Sequence, residues 1–398
     1  MKSIVETPVE KLATISFDCD CGNKHSIDIQ KIVVGEGVLP SLMDMVEPFK
    51  DGKILMVSDQ NTFEAAGETA YGILQKAGCD VKSFVFQTGC DILIPDKKAL
   101  GRLFMELEPD TSLMIAVGSG TINDLTKYVA ARAKIPYIVI CTAPSMDGYA
   151  SDGAPLICDG FKVSFQGTLA YGIVADIDIM RKAPENLIQA GFGDVIGKYT
   201  ALADWMLARE NVGEYYCETC AEMIRVALTK VVEHAEGIRR REVEGIRNLT
   251  EALIMSGVAM GLIGVSRPAS GAEHMLSHYW EMYYIAHDCY PELHGIKVGI
   301  ATPLIAELFE MMRDKLPESV AAICPERQTM EKLLQLVAAP VLPTDIGIMR
   351  ELLYESLLEA YQVRKRYSIV QLAVEEGQIE DCAEKITNRI YGNATISV

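Results

Sequence analysis

No stretch of about 18 uncharged apolar residues occurs in the chain, so a membrane-spanning helix is not expected. The opening MKSIVETPVE lacks the basic-then-apolar order of a secretory leader. Positive charge is scarce: 37 Lys and Arg face 55 Asp and Glu, a formal net charge of −18. Such a surface repels nucleic acid and anionic membranes, and neither is expected as a partner. It also repels anionic substrates. Any phosphate or dinucleotide site must carry its own positive field, from helix N-termini, Lys, Arg or a metal. Internal repeats and low-complexity tracts are missing. So is a regular, even set of cysteines. The 11 present are scattered, which fits free thiols in a reducing, cytoplasmic setting better than a disulfide framework. Two close pairs stand out, Cys19-Asp20-Cys21 and Cys217-Glu218-Thr219-Cys220, with His25 after the first. No fourth ligand for a zinc knuckle is obvious, and the pairs read as structural or incidental.

What is present is length and hydrophobicity. With 398 residues, 49% of them hydrophobic, the chain fits two domains or one large two-part enzyme. Alternation over Thr14–Cys19 and Ser26–Ile29 about a turn at Cys21–Lys24 predicts a hairpin. From about residue 53 to 150, short apolar runs alternate with helical patterns. Strands are expected at Ile54–Val57, Phe84–Phe86, Leu113–Val117 and Tyr137–Cys141, with helices over Thr62–Lys76, Asp96–Glu106 and Thr121–Arg132. This order predicts a parallel sheet with helices on both faces. A second hairpin is expected on the Asp159-Gly160 turn. After Ala183-Pro184 the pattern becomes almost wholly helical, for example over Cys217–Ile238 and Val243–Val265. The expected organisation is therefore an α/β, Rossmann-like nucleotide-binding domain over 1–183 and an all-α domain over 184–398.

The run from Val117 into Gly118-Ser119-Gly120-Thr121-Ile122-Asn123-Asp124 has the order strand, glycine turn, helix start. That order suits a pyrophosphate, because glycines allow close backbone approach and unpaired N–H groups point at the anion. It is not GxGxxG, and it follows the third strand, so a standard Rossmann fingerprint is disfavoured. Asp124 reads as holding the turn. A second polar turn, Thr142-Ala143-Pro144-Ser145-Met146-Asp147-Gly148-Tyr149-Ala150-Ser151, follows the next strand. The ends of neighbouring parallel strands converge on one crevice, where these hydroxyls and a carboxylate can meet a nicotinamide and a polyol. Asp59, just past the first strand, reads either as a partner of ribose hydroxyls, favouring NAD over NADP, or as a surface carboxylate.

Four of the six histidines, His274, His278, His287 and His294, fall within one window of 21 residues. His274 and His278 are four apart and share a helix face. His294, in Leu293-His294-Gly295, sits at an expected helix start, and Asp194 lies in Gly191-Phe192-Gly193-Asp194. Imidazole and carboxylate ligands suit zinc, nickel or iron. Three protein ligands leave open positions for a substrate. Lys198, Lys297 and Arg267 are the nearby cations for a phosphate. His287 reads as surface or structural.

The ordered set GSGTINDLTKY (118–128), TAPSMDGYAS (142–151), GFGDVIGKYTALADW (191–205), SGAEHMLSH (270–278), LHGIKVG (293–299) and Arg364–Ile369 resembles the iron-containing alcohol dehydrogenase and dehydroquinate synthase-like superfamily. Within it the set is similar to the sn-glycerol-1-phosphate dehydrogenases, bacterial type, over nearly the whole chain. The resemblance implies an NAD- or NADP-dependent oxidoreductase that uses one divalent ion to reduce dihydroxyacetone phosphate to sn-glycerol 1-phosphate, with a role in phospholipid synthesis and a dimeric state. It implies Asp194, His274 and His294 as metal ligands and Asp147, Asp194 and His278 as substrate contacts. Gly118, Gly120, Thr121, Ile122, Asn123, Asp124, Thr142, Ala143, Pro144, Ser145 and Ser151 would line the cofactor, with Asp59 near its ribose. Competing expectations are a glycerol dehydrogenase acting on the unphosphorylated polyol, a dehydroquinate synthase-type lyase, and a non-catalytic nucleotide- or metabolite-binding protein.

Overall fold

A computed structural model describes residues 2–89 and 92–392. Ten strands are present among them: β1 Ser16–Asp18, β2 Lys24–Ser26, β3 Lys31–Gly35, β4 Lys53–Asp59, β5 Asp80–Phe86, β6 Thr111–Gly118, β7 Tyr137–Cys141, β8 Gly153–Cys158, β9 Phe161–Gln166 and β10 Gly172–Asp176. Six of them form one sheet in the order β3-β10-β7-β6-β4-β5, and all its pairings are parallel. Its central strands are buried on both faces, as Tyr137-Ile-Val-Ile-Cys141 shows. That explains why they read as unbroken apolar runs rather than alternating ones.

The four expected strands are all present, each in a run at least as long as predicted. The sheet has two more. β3 lies in a stretch read only as a leader to the fold, and β10 in the stretch after the second hairpin. Both are five-residue strands, β3 with one partly exposed face and β10 buried throughout. The two hairpins, β1–β2 and β8–β9, stand outside the main sheet. The first is shifted from its expected place: Ile27 and Ile29, expected on its second strand, are buried beyond β2. The second turns on Asp159 (φ 54°) and Gly160 (φ 79°), both left-handed, as a two-residue hairpin requires.

Helices α1 (Glu68–Lys76), α2 (Lys97–Met105) and α3 (Gly120–Ala133) connect the strands. From β4 the chain winds outward to β5. From β6 it winds the other way, through α3 to β7. The winding therefore reverses between β4 and β6, and the carboxyl ends of these strands, Asp59 and Gly118, flank the crevice where such folds bind ligands.

Beyond β10 the described residues contain helices and connections but no strand. The longer helices are α4 Glu185–Ile196, α5 Lys198–Val212, α6 Glu218–Glu233, α7 Val243–Ile263, α8 Ala272–Ala286, α9 His294–Met311, α10 Arg327–Leu336, α11 Arg350–Glu359 and α12 Ile379–Tyr391. The helix expected over 217–238 breaks at His234 and begins one residue later, leaving Cys217 at its N-cap. α7 has 21 residues and a mean hydropathy of 1.3, enough in length and composition to cross a membrane, yet 72% of that window is buried inside the molecule.

α4 and α9 meet backbone to backbone. A Cβ on Gly193 would lie 2.2 Å from the Gly295 carbonyl oxygen, and one on Gly295 would lie 1.9 Å from that of Ala190. Only glycine fits at either place, and this contact brings the end of α4 to the start of α9.

Candidate metal and nucleotide centre

Asp194 lies in the last turn of α4, His274 in the first turn of α8, and His294 is the first residue of α9. One ligand atom from each lies within 4.8 Å of the others. Nδ1 of His274 is 2.7 Å from the Glu273 carboxylate. A carboxylate can only accept, so Nδ1 donates. In the neutral ring this leaves the Nε2 lone pair facing the Asp194 carboxylate, 3.6 Å away. A metal-ligating histidine usually donates its other ring N–H to a carboxylate in this way, which fixes its tautomer and orientation. Glu273 is itself fixed: it accepts from the Thr200 hydroxyl (2.6 Å) and the Gly271 amide (2.6 Å). Nδ1 of His294 is buried and has no hydrogen-bond partner among the described residues. Lone pairs converge here, with an orphaned imidazole nitrogen beside them. The donor set fits a divalent cation such as zinc, nickel or iron.

The charge balance agrees. Asp147 and Asp194 share one ammonium, that of Lys198, which donates to Asp194 (2.6 Å) and Asp147 (2.7 Å). Burial alone would push the Asp194 carboxyl up, but Lys198, His274 and His294 outweigh it and hold it well below the usual carboxylate range. Burial, and then Asp194, push Asp147 up. The other Asp194 oxygen accepts the Asp147 amide (3.1 Å), which ties the 142–151 turn to α4.

His278, one turn beyond His274, lies outside the three-ligand group, with ring centroids 6.4 Å from His274 and 5.6 Å from His294. Burial and then the Arg364 guanidinium push its imidazole well below the ordinary range. Neutral His278 accepts from Arg364 through Nε2 (3.0 Å). Arg364 also donates to the Ser270 hydroxyl (3.1 Å), and no carboxylate pairs with it within 4.0 Å among the described residues. Nearby, Glu281 receives Lys162 (2.9 Å) and Lys297 (3.1 Å).

Of the three cations picked from sequence for a phosphate, Lys198 is committed to two carboxylates and Arg267 to Glu214 and the Tyr367 carbonyl. Lys297 is buried against Glu281. Arg364, Lys162, Glu281 and Glu273 were missed. Glu273 and Glu281 carried a signal, one adjacent to His274 and one three residues after His278. Lys162 arrives from a distant segment and carried none, while Arg364 lay in the Arg364–Ile369 run that carries the resemblance, with no role attached to it. His287 donates Nδ1 to the Tyr283 carbonyl (2.7 Å) at the end of α8, away from the cluster.

At the nucleotide crevice, Ser119 is the N-cap of α3 and its hydroxyl meets that of Ser145, so the two polar turns touch. The Thr142 amide donates to the Gly118 carbonyl (3.2 Å). The first N–H groups of α3, from Gly120 through Ile122, have no partner within the helix and open on this crevice. Side chains further on face inward. Ile122 is buried and in close contact with Gly118. Asn123 donates to the Gly148 carbonyl (3.3 Å) and accepts from the Tyr137 hydroxyl (3.4 Å). Asp124 lies 3.4 Å from Lys127, whose ammonium also donates to the Gly148 (2.9 Å) and Gly153 (2.8 Å) carbonyls. These side chains brace the turn that carries Asp147. Ala143, Pro144 and Ser145 are buried under the same turn, and Ser151 donates to Gly148 (3.3 Å). Asp59 closes a capping box, accepting from the Thr62 amide (2.8 Å) while its own amide donates to the Thr62 hydroxyl (3.0 Å).

A reversing parallel sheet beside a helical half, with one carboxylate and two imidazoles gathered between them, is the build of an iron-containing alcohol dehydrogenase. The model of that family, described as iron-containing alcohol dehydrogenase, matches residues 33–184. A solved glycerol dehydrogenase from Schizosaccharomyces pombe superposes with a TM-score of 0.67 at 18% identity, over 93% of this chain and 95% of that one. Glycerol-1-phosphate dehydrogenase [NAD(P)+] of Halalkalibacterium halodurans is 36% identical over 380 residues, 89% of this chain and 95% of the relative. The enzyme of the same name from Geobacillus stearothermophilus is 33% identical over 383 residues, 89% of this chain and 95% of the relative. The chain belongs to the glycerol-1-phosphate dehydrogenase family.

Proposed function

We propose that this chain reduces dihydroxyacetone phosphate to sn-glycerol 1-phosphate with NADH or NADPH, using one divalent ion held by Asp194, His274 and His294. The observation that carries the reading is the convergence of those three side chains at the foot of the nucleotide crevice, with the relatives named above giving the substrate class. The chemistry these bound groups supply is hydride transfer from a reduced nicotinamide and Lewis-acid stabilisation of charge developing on the ketone oxygen.

The protein's own groups do the rest. Residues 1–183 form the nucleotide half, with the α3 N-terminus and the 142–151 turn as its phosphate and nicotinamide walls, and residues 184–398 form the metal and substrate half. Glu273 fixes the His274 tautomer. Lys198 keeps Asp194 ionised and holds Asp147 in place through its ammonium, and the substrate's hydroxyl meets Asp147. His278, neutral and next to Arg364, orients the substrate or relays a proton through water. Arg364 is the cation we assign to the phosphate, because it lies beside His278 with no carboxylate partner among the described residues. The ten described cysteines form no disulfide with one another, which supports a reducing, cytoplasmic compartment. The homodimer rests on family resemblance alone.

The test is a comparison of NADH and NADPH consumption with dihydroxyacetone phosphate and with dihydroxyacetone, followed by chiral analysis of the product. Preference for the phosphorylated ketone and formation of the sn-1 product are expected. Preference for dihydroxyacetone would make the chain a glycerol dehydrogenase.

A further inference from the structure

The first cysteine pair has its missing partner almost two hundred residues away. Cys19, Cys21, His25 and Cys217 bring one ligand atom each to a common centre, all within 4.8 Å of one another. The Cys19 and Cys217 sulfurs are 3.7 Å apart, and His25 Nε2 is 3.2 Å from the Cys21 sulfur and 3.4 Å from that of Cys217. In a zinc tetrahedron with bonds of about 2.3 Å to sulfur and about 2.0 Å to nitrogen, the edges are about 3.7 Å between sulfurs and about 3.5 Å from sulfur to nitrogen. The observed spacings lie close to those edges. A disulfide needs its sulfurs at about 2.05 Å, far closer than this pair.

We propose that Cys19, Cys21, His25 and Cys217 form a structural zinc site, separate from the dehydrogenase centre.

The surroundings are those of a metal-bound set. His25 Nδ1 lies 2.7 Å from the Leu262 carbonyl and donates to it, so the buried imidazole, when neutral, presents an unprotonated Nε2 to the three sulfurs. Hydrogen-bond donors point at the sulfurs: the Cys21 amide at Cys19, the Asn23 amide at Cys21, and the Cys220 amide at Cys217. The Tyr215 hydroxyl lies 3.0 Å from the Cys21 sulfur. Cys217 is the N-cap of α6, where the helix dipole favours a thiolate. Three soft thiolates and one imidazole with no open position are the donor set of structural zinc.

The site also has work to do in the fold. β1 and β2 are three residues each and pair only with one another. A hairpin that small does not hold itself together in water. The ion staples it to the start of α6 through Cys217, and His25 links it to the end of α7.

The test uses the full-length protein carrying Asp194→Asn, which removes the dehydrogenase ion. An organomercurial titrates the thiols while a zinc-binding dye reads the metal set free. About one zinc per chain should appear as the thiols react, and Cys19→Ser or Cys217→Ser should remove that release. No zinc released, or release unchanged in both serine variants, would overturn the proposal. Should those variants not fold, cobalt(II) exchanged into the wild-type protein decides the matter. An intense near-ultraviolet sulfur-to-cobalt charge-transfer band is expected, since the Asp194 site offers no sulfur, and a cobalt-loaded protein without that band overturns the proposal.

Discussion

At the residue scale the centre depends on groups that hold other groups. Asp194→Asn keeps the shape of the side chain but removes charge from a buried site built around Lys198, and His274→Ala removes an imidazole outright. Each should lower kcat by more than about a hundredfold with the circular dichroism spectrum unchanged. Glu273→Gln weakens the carboxylate hold on His274 Nδ1: metal affinity should fall roughly 10–100-fold, read by competitive chelation, with the fold retained. Unchanged affinity would mean that Glu273 does not set the His274 tautomer. Arg364→Ala should raise KM for the phosphorylated ketone roughly 10–100-fold, the loss of about 1.5–3 kcal/mol for a charge-assisted bond, and leave KM for dihydroxyacetone unchanged. Equal effects on both substrates would remove Arg364 from the phosphate. Much of the metal set was legible in the sequence because histidine is rare in this chain and concentrated near residue 274. The cations were not legible, because a lysine's usefulness depends on which carboxylates already occupy it. Lys198 looked available until Asp147 and Asp194 were placed on either side of it.

At the element scale, geometry is set where α4 crosses α9. The Gly193 and Gly295 contacts leave no room for a methyl group, since each faces a carbonyl oxygen. Gly193→Ala or Gly295→Ala should destabilise the protein by roughly 1–3 kcal/mol and weaken divalent-metal binding together, because parting these helices separates Asp194 from His294. Chemical denaturation and metal titration read the two effects. Loss of stability with metal affinity intact would show that the crossing does not position the ligands. The α/β half could be read from Ile54, Leu113 and Tyr137 onward because apolar runs alternated with amphipathic ones. β3 and β10 escaped because neither lies in the stretch where strands and helices alternate: β3 precedes it, and β10 follows the second hairpin. Cys217, expected inside a helix, stands instead at its N-cap, where its sulfur faces Cys19 at the end of the β1–β2 hairpin.

At the scale of the whole molecule, an acidic chain with net charge −18 gathers its cations inward, Lys127, Lys198 and Lys297 being fully buried around the crevice. Folding and ligand binding are thereby coupled. Divalent ion at about a hundred times its Kd should stabilise the protein by about 2.7 kcal/mol, seen as a concentration-dependent rise in Tm that Asp194→Asn abolishes. The most direct test of the account is anomalous diffraction from crystals grown with zinc or nickel, with data on both sides of the metal's absorption edge. A peak bonded to the Asp194 carboxylate, His274 Nε2 and His294 is the predicted result. Clean maps from metal-loaded, active crystals with no peak among those three side chains would contradict it.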